Sequence, residues 1–150
     1  MTSKEFVLDT MRKQGYAAAL ALQEKAGGMT GTELNSEAGY IPSFQAAKQK
    51  MNMLERPIGF VCRSTAGRVV ALIQQYNSDT FPQEPEELAA QWRFKWSKDP
   101  DHALPFVALS TSPYDTGECC TEDGVVYKST MDGNTHAPSA YPRGWEAVEA

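Results

Sequence analysis

The spacing of hydrophobic positions divides the chain into a helical first part and a β-like second part. Between residues 3 and 26, apolar side chains recur at steps close to 3.6 residues and alanine is dense, which predicts a helix. Ser3 is its candidate N-cap, and Gly27-Gly28 gives a stop signal. A second, shorter helix is predicted after Thr30, and residues 44–53 are expected to form a loop or a further helical turn.

Helical periodicity disappears at residue 57, where short β-like runs punctuated by Gly, Pro, Asp and Asn begin. The candidate strands are 59–63, 68–74, 106–109, 118–121 and 125–129. We therefore predict an α+β fold, in which an N-terminal helical segment precedes two small tandem β modules, each a β-hairpin or a three-stranded sheet. Residues 1–56 form the helical leader and a possible oligomerisation segment, and the two β modules are 57–100 and 101–150.

The two β modules contain the same landmarks in the same order. Each begins with Gly-x-x-Cys, at 59–62 and at 117–120, and each has a second glycine that opens a β-like run. An asparagine-containing turn stretch follows, and then a proline precedes a tryptophan by seven positions, at 85–92 and at 138–145. We interpret this order as an internal repeat whose first copy carries the longer loop.

Elementary packing explains why such a unit would need its tryptophan. An isolated two-stranded hairpin is marginal in water, and one large aromatic side chain lying across it supplies much of the missing apolar burial. The proline restricts the returning chain so that the tryptophan arrives at low entropic cost. We therefore expect Trp92 and Trp145 to be core residues.

The second module also resembles a known family. It has Tyr114-Asp115-Thr116-Gly117, then a Gly-x-x-Tyr strand at 124–127, then Asn134, Pro138 and Gly144-Trp145. This series resembles the small β modules of the family 5/12 carbohydrate-binding, or chitin-binding type 3, group. The ending Trp-x-x-Val at 145–148 is similar to modules in tail-associated proteins of phages and prophages. Residues 59–96 resemble a more divergent copy, and residues 15–45 resemble the short helical leader of such phage proteins.

This resemblance implies a non-catalytic phage virion protein, of a tail or a surface appendage, whose tandem modules bind bacterial surface glycans. The alternative is a purely structural protein of virion assembly or decoration that binds no glycan. The implied partners are a bacterial cell-surface glycan and other virion proteins. The expected location is the virion, assembled in the host cytoplasm, and we expect a homo-oligomer that associates through residues 3–26.

The candidate glycan-binding residues are aromatic, because aromatic faces attract the apolar C–H faces of sugars. In chitin-binding members, exposed aromatics follow the Gly-x-x-Tyr strand directly, whereas residues 129–131 here are Ser-Thr-Met. Among the other aromatics, Tyr141 is the one most expected to contact a partner, while Tyr127, Trp145 and His136 each have an alternative role as framework or plain loop residues. The candidate carbohydrate-binding residues are Tyr114, Tyr127, His136, Tyr141 and Trp145 in the second module and Tyr76 and Phe81 in the first.

Charge and composition exclude several other classes of protein. The net charge of −5 and the lack of a basic run argue against nucleic-acid binding. No apolar run reaches the roughly 20 residues of a membrane span, and the N-terminal segment has no uninterrupted apolar core of a secretory signal. Three cysteines, Cys62 and Cys119-Cys120, are a poor disulfide framework and are expected to be buried free thiols. The histidines complete no zinc spacing, so we expect neither a metal nor a cofactor.

Catalytic signatures are equally sparse. The sequence contains no GxSxG, P-loop, GxGxxG, HExxH or EF-hand pattern, and its carboxylates lie in polar clusters typical of solvated loops. One alternative is a cysteine nucleophile, Cys119 or Cys120, paired with His136. We predict that the protein is not an enzyme.

Overall fold

A computed structural model describes residues 3–4 and 17–148. Residues 3–4 are helical, and helix α1 comprises the helical residues 17–25. The predicted first helix is confirmed over these residues, and its part from 5 to 16 lies outside the described residues. Helix α2 is Gly31–Ser36 and helix α3 is Phe44–Lys50. Of the two alternatives expected for residues 44–53, a loop or a helical turn, the structure therefore has the helix.

Both short helices begin at side-chain caps. The Thr30 hydroxyl accepts a hydrogen bond from the Glu33 N–H at 3.1 Å, and the Glu33 carboxylate accepts one from the Thr30 N–H at 3.0 Å. This reciprocal pair satisfies two backbone donors that the first turn of a helix leaves free. Ser43 caps α3 in a similar way, because its hydroxyl accepts from the Ala46 N–H at 3.2 Å.

The β part contains two small sheets, so the predicted α+β class is confirmed. The first sheet has the order β1-β2-β3 and is antiparallel throughout. The second has the order β4-β5-β6-β7, in which β4 runs parallel to β5 and the other pairs are antiparallel. The strands are β1 Val61–Arg63, β2 Val69–Leu72, β3 Trp92–Phe94, β4 Leu104–Pro105, β5 Cys119–Glu122, β6 Val125–Ser129 and β7 Trp145–Ala147.

One predicted strand, at 106–109, is wrong. Pairing with β5 is limited to Leu104 and Pro105, after which the Phe106 N–H donates to the Thr121 carbonyl at 2.9 Å. The Phe106 ring then packs against Tyr114 and Trp145. Packing against these aromatics takes the chain away from the sheet and ends the strand.

The two sheets have equivalent strand registers at the landmarks that the sequence repeats. Cys62 lies opposite Val70 in the first sheet, and Cys120 lies opposite Tyr127 in the second. The middle strands are β2 and β6. Two residues after Val70 and Tyr127 in these strands, Leu72 lies opposite Trp92 and Ser129 lies opposite Trp145. Both tryptophans are buried, as predicted.

The first glycine of each unit occupies the same backbone position. Gly59 donates its N–H to the Leu72 carbonyl, and Gly117 donates to the Ser129 carbonyl, both at 2.8 Å. Their φ angles are 93° and 91°, in the left-handed region that favours glycine. The glycine of the Gly-x-x-Cys landmark therefore provides the left-handed backbone conformation that precedes the cysteine-bearing strand in each unit.

The structural repeat begins earlier than the sequence landmarks. Ser43 forms a parallel bridge with Arg63, as β4 does with β5 in the second unit. The next residue in each case is a phenylalanine that packs edge-on against the closing tryptophan. Phe44 and Trp92 have ring centroids 5.9 Å apart at 85°, and Phe106 and Trp145 have centroids 6.0 Å apart at 88°.

Aromatic packing also joins the two units. Trp96, which follows β3, stacks on Tyr114 with ring centroids 4.2 Å apart and an interplanar angle of 12°. Its indole N–H donates to the Ser112 carbonyl at 2.9 Å. One hydrophobic cluster consequently contains residues of α3, of both sheets and of the connecting segments.

Helix α1 packs on the first sheet, within a second hydrophobic cluster that includes Leu22 and Val61. The Gln23 side chain completes this contact with two hydrogen bonds to β1. Its Nε2 donates to the Val61 carbonyl at 2.7 Å, and its Oε1 accepts from the Val61 N–H at 3.0 Å. The amide side chain thus satisfies both backbone groups of one strand residue, as a neighbouring strand would.

Candidate functional site

The loop between β6 and β7, residues 130–144, contains two of the expected glycan-binding residues at its surface. Both His136 and Tyr141 are exposed, Tyr141 by 40% of its area. Their ring centroids lie 5.4 Å apart with the planes tilted by 48°. The structure therefore brings together two residues that the sequence separates by five positions.

Asn134, which has no exposed area, holds this loop from inside. Its Nδ2 donates to the Gly144 carbonyl at 2.9 Å and to the Ser129 hydroxyl at 3.2 Å. Its Oδ1 accepts from the His136 N–H at 3.1 Å. The backbone of Asn134 also exchanges two hydrogen bonds with Tyr114, so every polar group of the residue has a partner.

Two further contacts fix the aromatic pair. The Trp145 indole N–H donates to the His136 carbonyl at 2.7 Å. Gly144 leaves no space for a side chain, since a Cβ there would lie 2.9 Å from both Tyr141 Cδ1 and Asn134 Nδ2. The Tyr141 ring is therefore in close contact with backbone that Asn134 holds.

Two further hydrogen bonds hold the chain on either side of Tyr141. The Glu122 carboxylate accepts from the Ser139 N–H at 3.0 Å, and the Thr130 hydroxyl donates to the Arg143 carbonyl at 2.8 Å. The phenol of Tyr141 and the imidazole of His136 can each exchange hydrogen bonds. The surface thus combines an aromatic face with hydrogen-bonding groups, which is the chemistry that a sugar ring requires.

Three of the candidate glycan-binding residues are core residues: the prediction is corrected for Tyr114 and Tyr76, and Trp145 takes the core position that was also expected for it. Tyr114, Trp145 and Tyr76 are exposed by only 1%, 6% and 7%. The Tyr76 hydroxyl accepts from the Trp92 indole N–H at 3.1 Å, within the core of the first unit. Units of this size need their large aromatics inside, so these rings have no face available to a ligand.

The remaining two candidates differ in exposure. Tyr127 is half-buried and packs against the main cluster, which agrees with its alternative role as framework. Phe81 is 50% exposed in the loop between β2 and β3. The other aromatic of that loop, Tyr76, is buried, so Phe81 has no exposed aromatic neighbour within its own loop.

The cysteines are free and buried, as predicted. Burial raises the pKa of the Cys120 thiol to about 12, and burial also raises the pKa values of Cys62 and Cys119. Cys119 makes long contacts with the carbonyls of Lys98 and Gly117, at 3.7 and 3.6 Å. Protonated, buried thiols give no support to a cysteine nucleophile paired with His136.

Other kinds of site receive no support from the part of the chain that the structure describes. Within residues 3–4 and 17–148, no group of three or more His, Cys, Asp or Glu side chains is arranged to hold a metal ion. The described helices include none with the length and apolar character that crossing a bilayer requires. The chain matches no protein-family model, no curated protein and no solved structure.

Proposed function

We propose that the protein is a non-catalytic phage virion protein, of a tail or a surface appendage, that binds a bacterial surface glycan through the β6–β7 loop. Tyr141 supplies the ring face, and His136 supplies a second ring and a hydrogen-bonding group. One observation carries this proposal: two aromatic residues are exposed side by side, 5.4 Å apart, on a loop held by a fully buried asparagine.

Rigidity of the loop supports binding in energetic terms. A ligand surface that is already ordered avoids the entropic cost of immobilising side chains, which is about 0.5–1.5 kcal/mol for each flexible one. The His136 N–H donates to Asn134 Oδ1 and the His136 carbonyl accepts from the Trp145 indole, so both backbone groups of His136 are held. A sugar ring would therefore meet a loop whose backbone is ordered before binding.

A purely structural virion protein is the second candidate. It is favoured by the burial of Tyr76, Tyr114 and Trp145, which leaves a small aromatic surface for a glycan. Under this proposal the two β units pack against other virion proteins, and residues 3–26 associate with copies of the same chain. A monodisperse monomer of the full chain in analytical ultracentrifugation would count against that association.

Screening the full chain against bacterial wall glycans tests the first proposal. We expect binding that Tyr141→Ala abolishes. Tyr40→Ala is the matched control, because Tyr40 is 52% exposed and lies outside the β6–β7 loop. Equal binding by both variants would place the glycan elsewhere, and failure of the folded, oligomeric chain to bind any wall glycan would leave only the structural proposal.

A further inference from the structure

A groove with a volume of about 630 Å³ lies between α1 and α3 and shares no residue with the β6–β7 loop. Three large apolar side chains that line it are exposed: Leu20 by 48%, Tyr40 by 52% and Met51 by 40%. Contiguous exposed apolar surface in a small protein commonly marks a site of interaction. No local pattern in the sequence predicts this site, because its residues come from separate elements.

Among the described residues, the charged side chains that line the groove are both positive. Lys50 and Arg56 line it, and none of the described residues that line it is a carboxylate. Within the described residues 3–4 and 17–148, neither cation forms an ion pair. The groove therefore combines an apolar surface with positive charge that has no anionic partner there.

Arg56 is held in place while part of its donor capacity is unused. Its Nη2 donates to the Ala47 carbonyl at 2.9 Å, and its guanidinium carbon lies 4.4 Å from the centre of the Phe60 ring. Its Nε is buried and has no acceptor in the described part of the chain. The N–H groups of this guanidinium that remain open to the groove are suited to a carboxylate oxygen, because charge-assisted hydrogen bonds of this kind are strong.

Size and charge together indicate the occupant. Sites for small molecules commonly enclose about 300–1,000 Å³ and are mostly apolar with a few polar groups, as this groove is. A second copy placed by two-fold symmetry would bring the Lys50 and Arg56 side chains of both copies to one interface, where like charges repel. We propose that the groove binds a small amphipathic carboxylate, with its apolar body against Leu20, Tyr40 and Met51 and its carboxylate at Arg56.

Calorimetric titration of the full chain with three ligands of equal chain length tests this proposal. The ligands are dodecanoate, dodecylamine and dodecanol, each kept below its micelle concentration or its solubility limit. We expect saturable binding of dodecanoate, at least about tenfold tighter than that of dodecylamine, because only the anion completes the charge-assisted hydrogen bond. Equal affinity for dodecanoate and dodecylamine would overturn the proposal.

Variants locate the binding. We expect Arg56→Gln to weaken dodecanoate about tenfold, and Arg56→Lys, which keeps the charge, to retain the preference for the anion. Leu20→Glu changes an exposed position and adds a carboxylate to the groove, so it should abolish binding even if the Arg56 variants fold poorly. Arg93→Gln replaces an exposed cation of β3 that lies outside both the groove and the β6–β7 loop; it is the control and should leave dodecanoate binding unchanged.

Two further results would also overturn the proposal. One is dodecanoate binding that neither Arg56→Gln nor Leu20→Glu alters. The other is a dimer of the full chain that Leu20→Glu dissociates while dodecanoate fails to bind, which would assign the groove to a second copy. Far-UV circular dichroism of each variant establishes that it is folded.

Discussion

Replacing Asn134 by alanine removes the side chain that organises the β6–β7 loop. The substitution eliminates three hydrogen bonds, two donated by Nδ2 and one accepted by Oδ1. Gly144 and Ser129 each keep another partner, since the Gly144 carbonyl also accepts from Thr130 and the Ser129 hydroxyl donates to the Met131 carbonyl. The His136 N–H loses the acceptor that the Asn134 side chain provides.

The expected cost follows from these bonds. A typical intramolecular hydrogen bond contributes about 0.5–1.5 kcal/mol, so three of them and the small cavity left by the amide correspond to about 2–4 kcal/mol. For a chain of this length each kcal/mol lowers the melting temperature by about 2–4 °C, which gives a decrease of about 5–15 °C. Urea unfolding followed by tryptophan fluorescence should show a lower midpoint and an unchanged slope.

Two variants make this prediction sharper. Asn77→Ala removes an exposed asparagine that also accepts local hydrogen bonds, and it should cost less than Asn134→Ala. Asn134→Asp keeps the shape but buries a carboxyl group, whose pKa burial raises. Its stability should therefore fall as pH rises towards neutrality. If Asn134→Ala costs no more than Asn77→Ala, the assigned role of Asn134 in the loop is wrong.

Three other predictions concern the core and its titrating groups. Burial raises the pKa of the Glu118 carboxyl, and the hydrogen bond from the Asp115 N–H opposes this rise without cancelling it. The folded state therefore binds this proton more tightly than the unfolded state, and stability falls as pH rises through this range. In urea unfolding, Glu118→Gln should be more stable than the parent at pH 7 and less sensitive to pH, and an unchanged pH profile would contradict this. Tyr114→Phe should be neutral or stabilising by up to about 1 kcal/mol, because the buried hydroxyl has no hydrogen-bond partner among the described residues. Tyr114→Ala removes the ring that stacks on Trp96 and should cost about 3–5 kcal/mol in the same assay. The three buried thiols should react with a disulfide reagent only after unfolding, and rapid labelling of the native protein would show that burial does not protect them.

Much of the fold is predictable because its signals are local. Glycines with a required left-handed conformation, strands bounded by turns, and a fixed proline-to-tryptophan interval all lie within short stretches of sequence. These features were enough to predict the two β units, the buried tryptophans and the matching of Cys62 with Cys120. The capped helix after Thr30 was predictable for the same reason, since its cap lies within four residues.

Contacts between distant segments were not predictable in this way. Nothing near Ser43 in the sequence indicates that it bridges Arg63, or that Phe44 and Phe106 pack on equivalent tryptophans. The burial of Tyr114 depends on Trp96, which comes from the other β unit. An aromatic residue beside a glycine turn is equally compatible with a surface site and with a core, and only the tertiary arrangement decides.

Comparison of the two β units indicates where function can differ within one framework. Both units keep the glycine, the cysteine strand, the edge-packed phenylalanine and the closing tryptophan, because these residues form the core. Their last loops differ: in the first, Tyr76 turns inward to hydrogen-bond Trp92, whereas in the second the Trp145 indole is occupied by the His136 carbonyl. The second arrangement frees the loop's own tyrosine, Tyr141, for the surface. The Trp92 indole N–H thus bonds a loop side chain, whereas the Trp145 indole N–H bonds loop backbone. This difference explains why, of the two loops, only the second has an exposed aromatic pair.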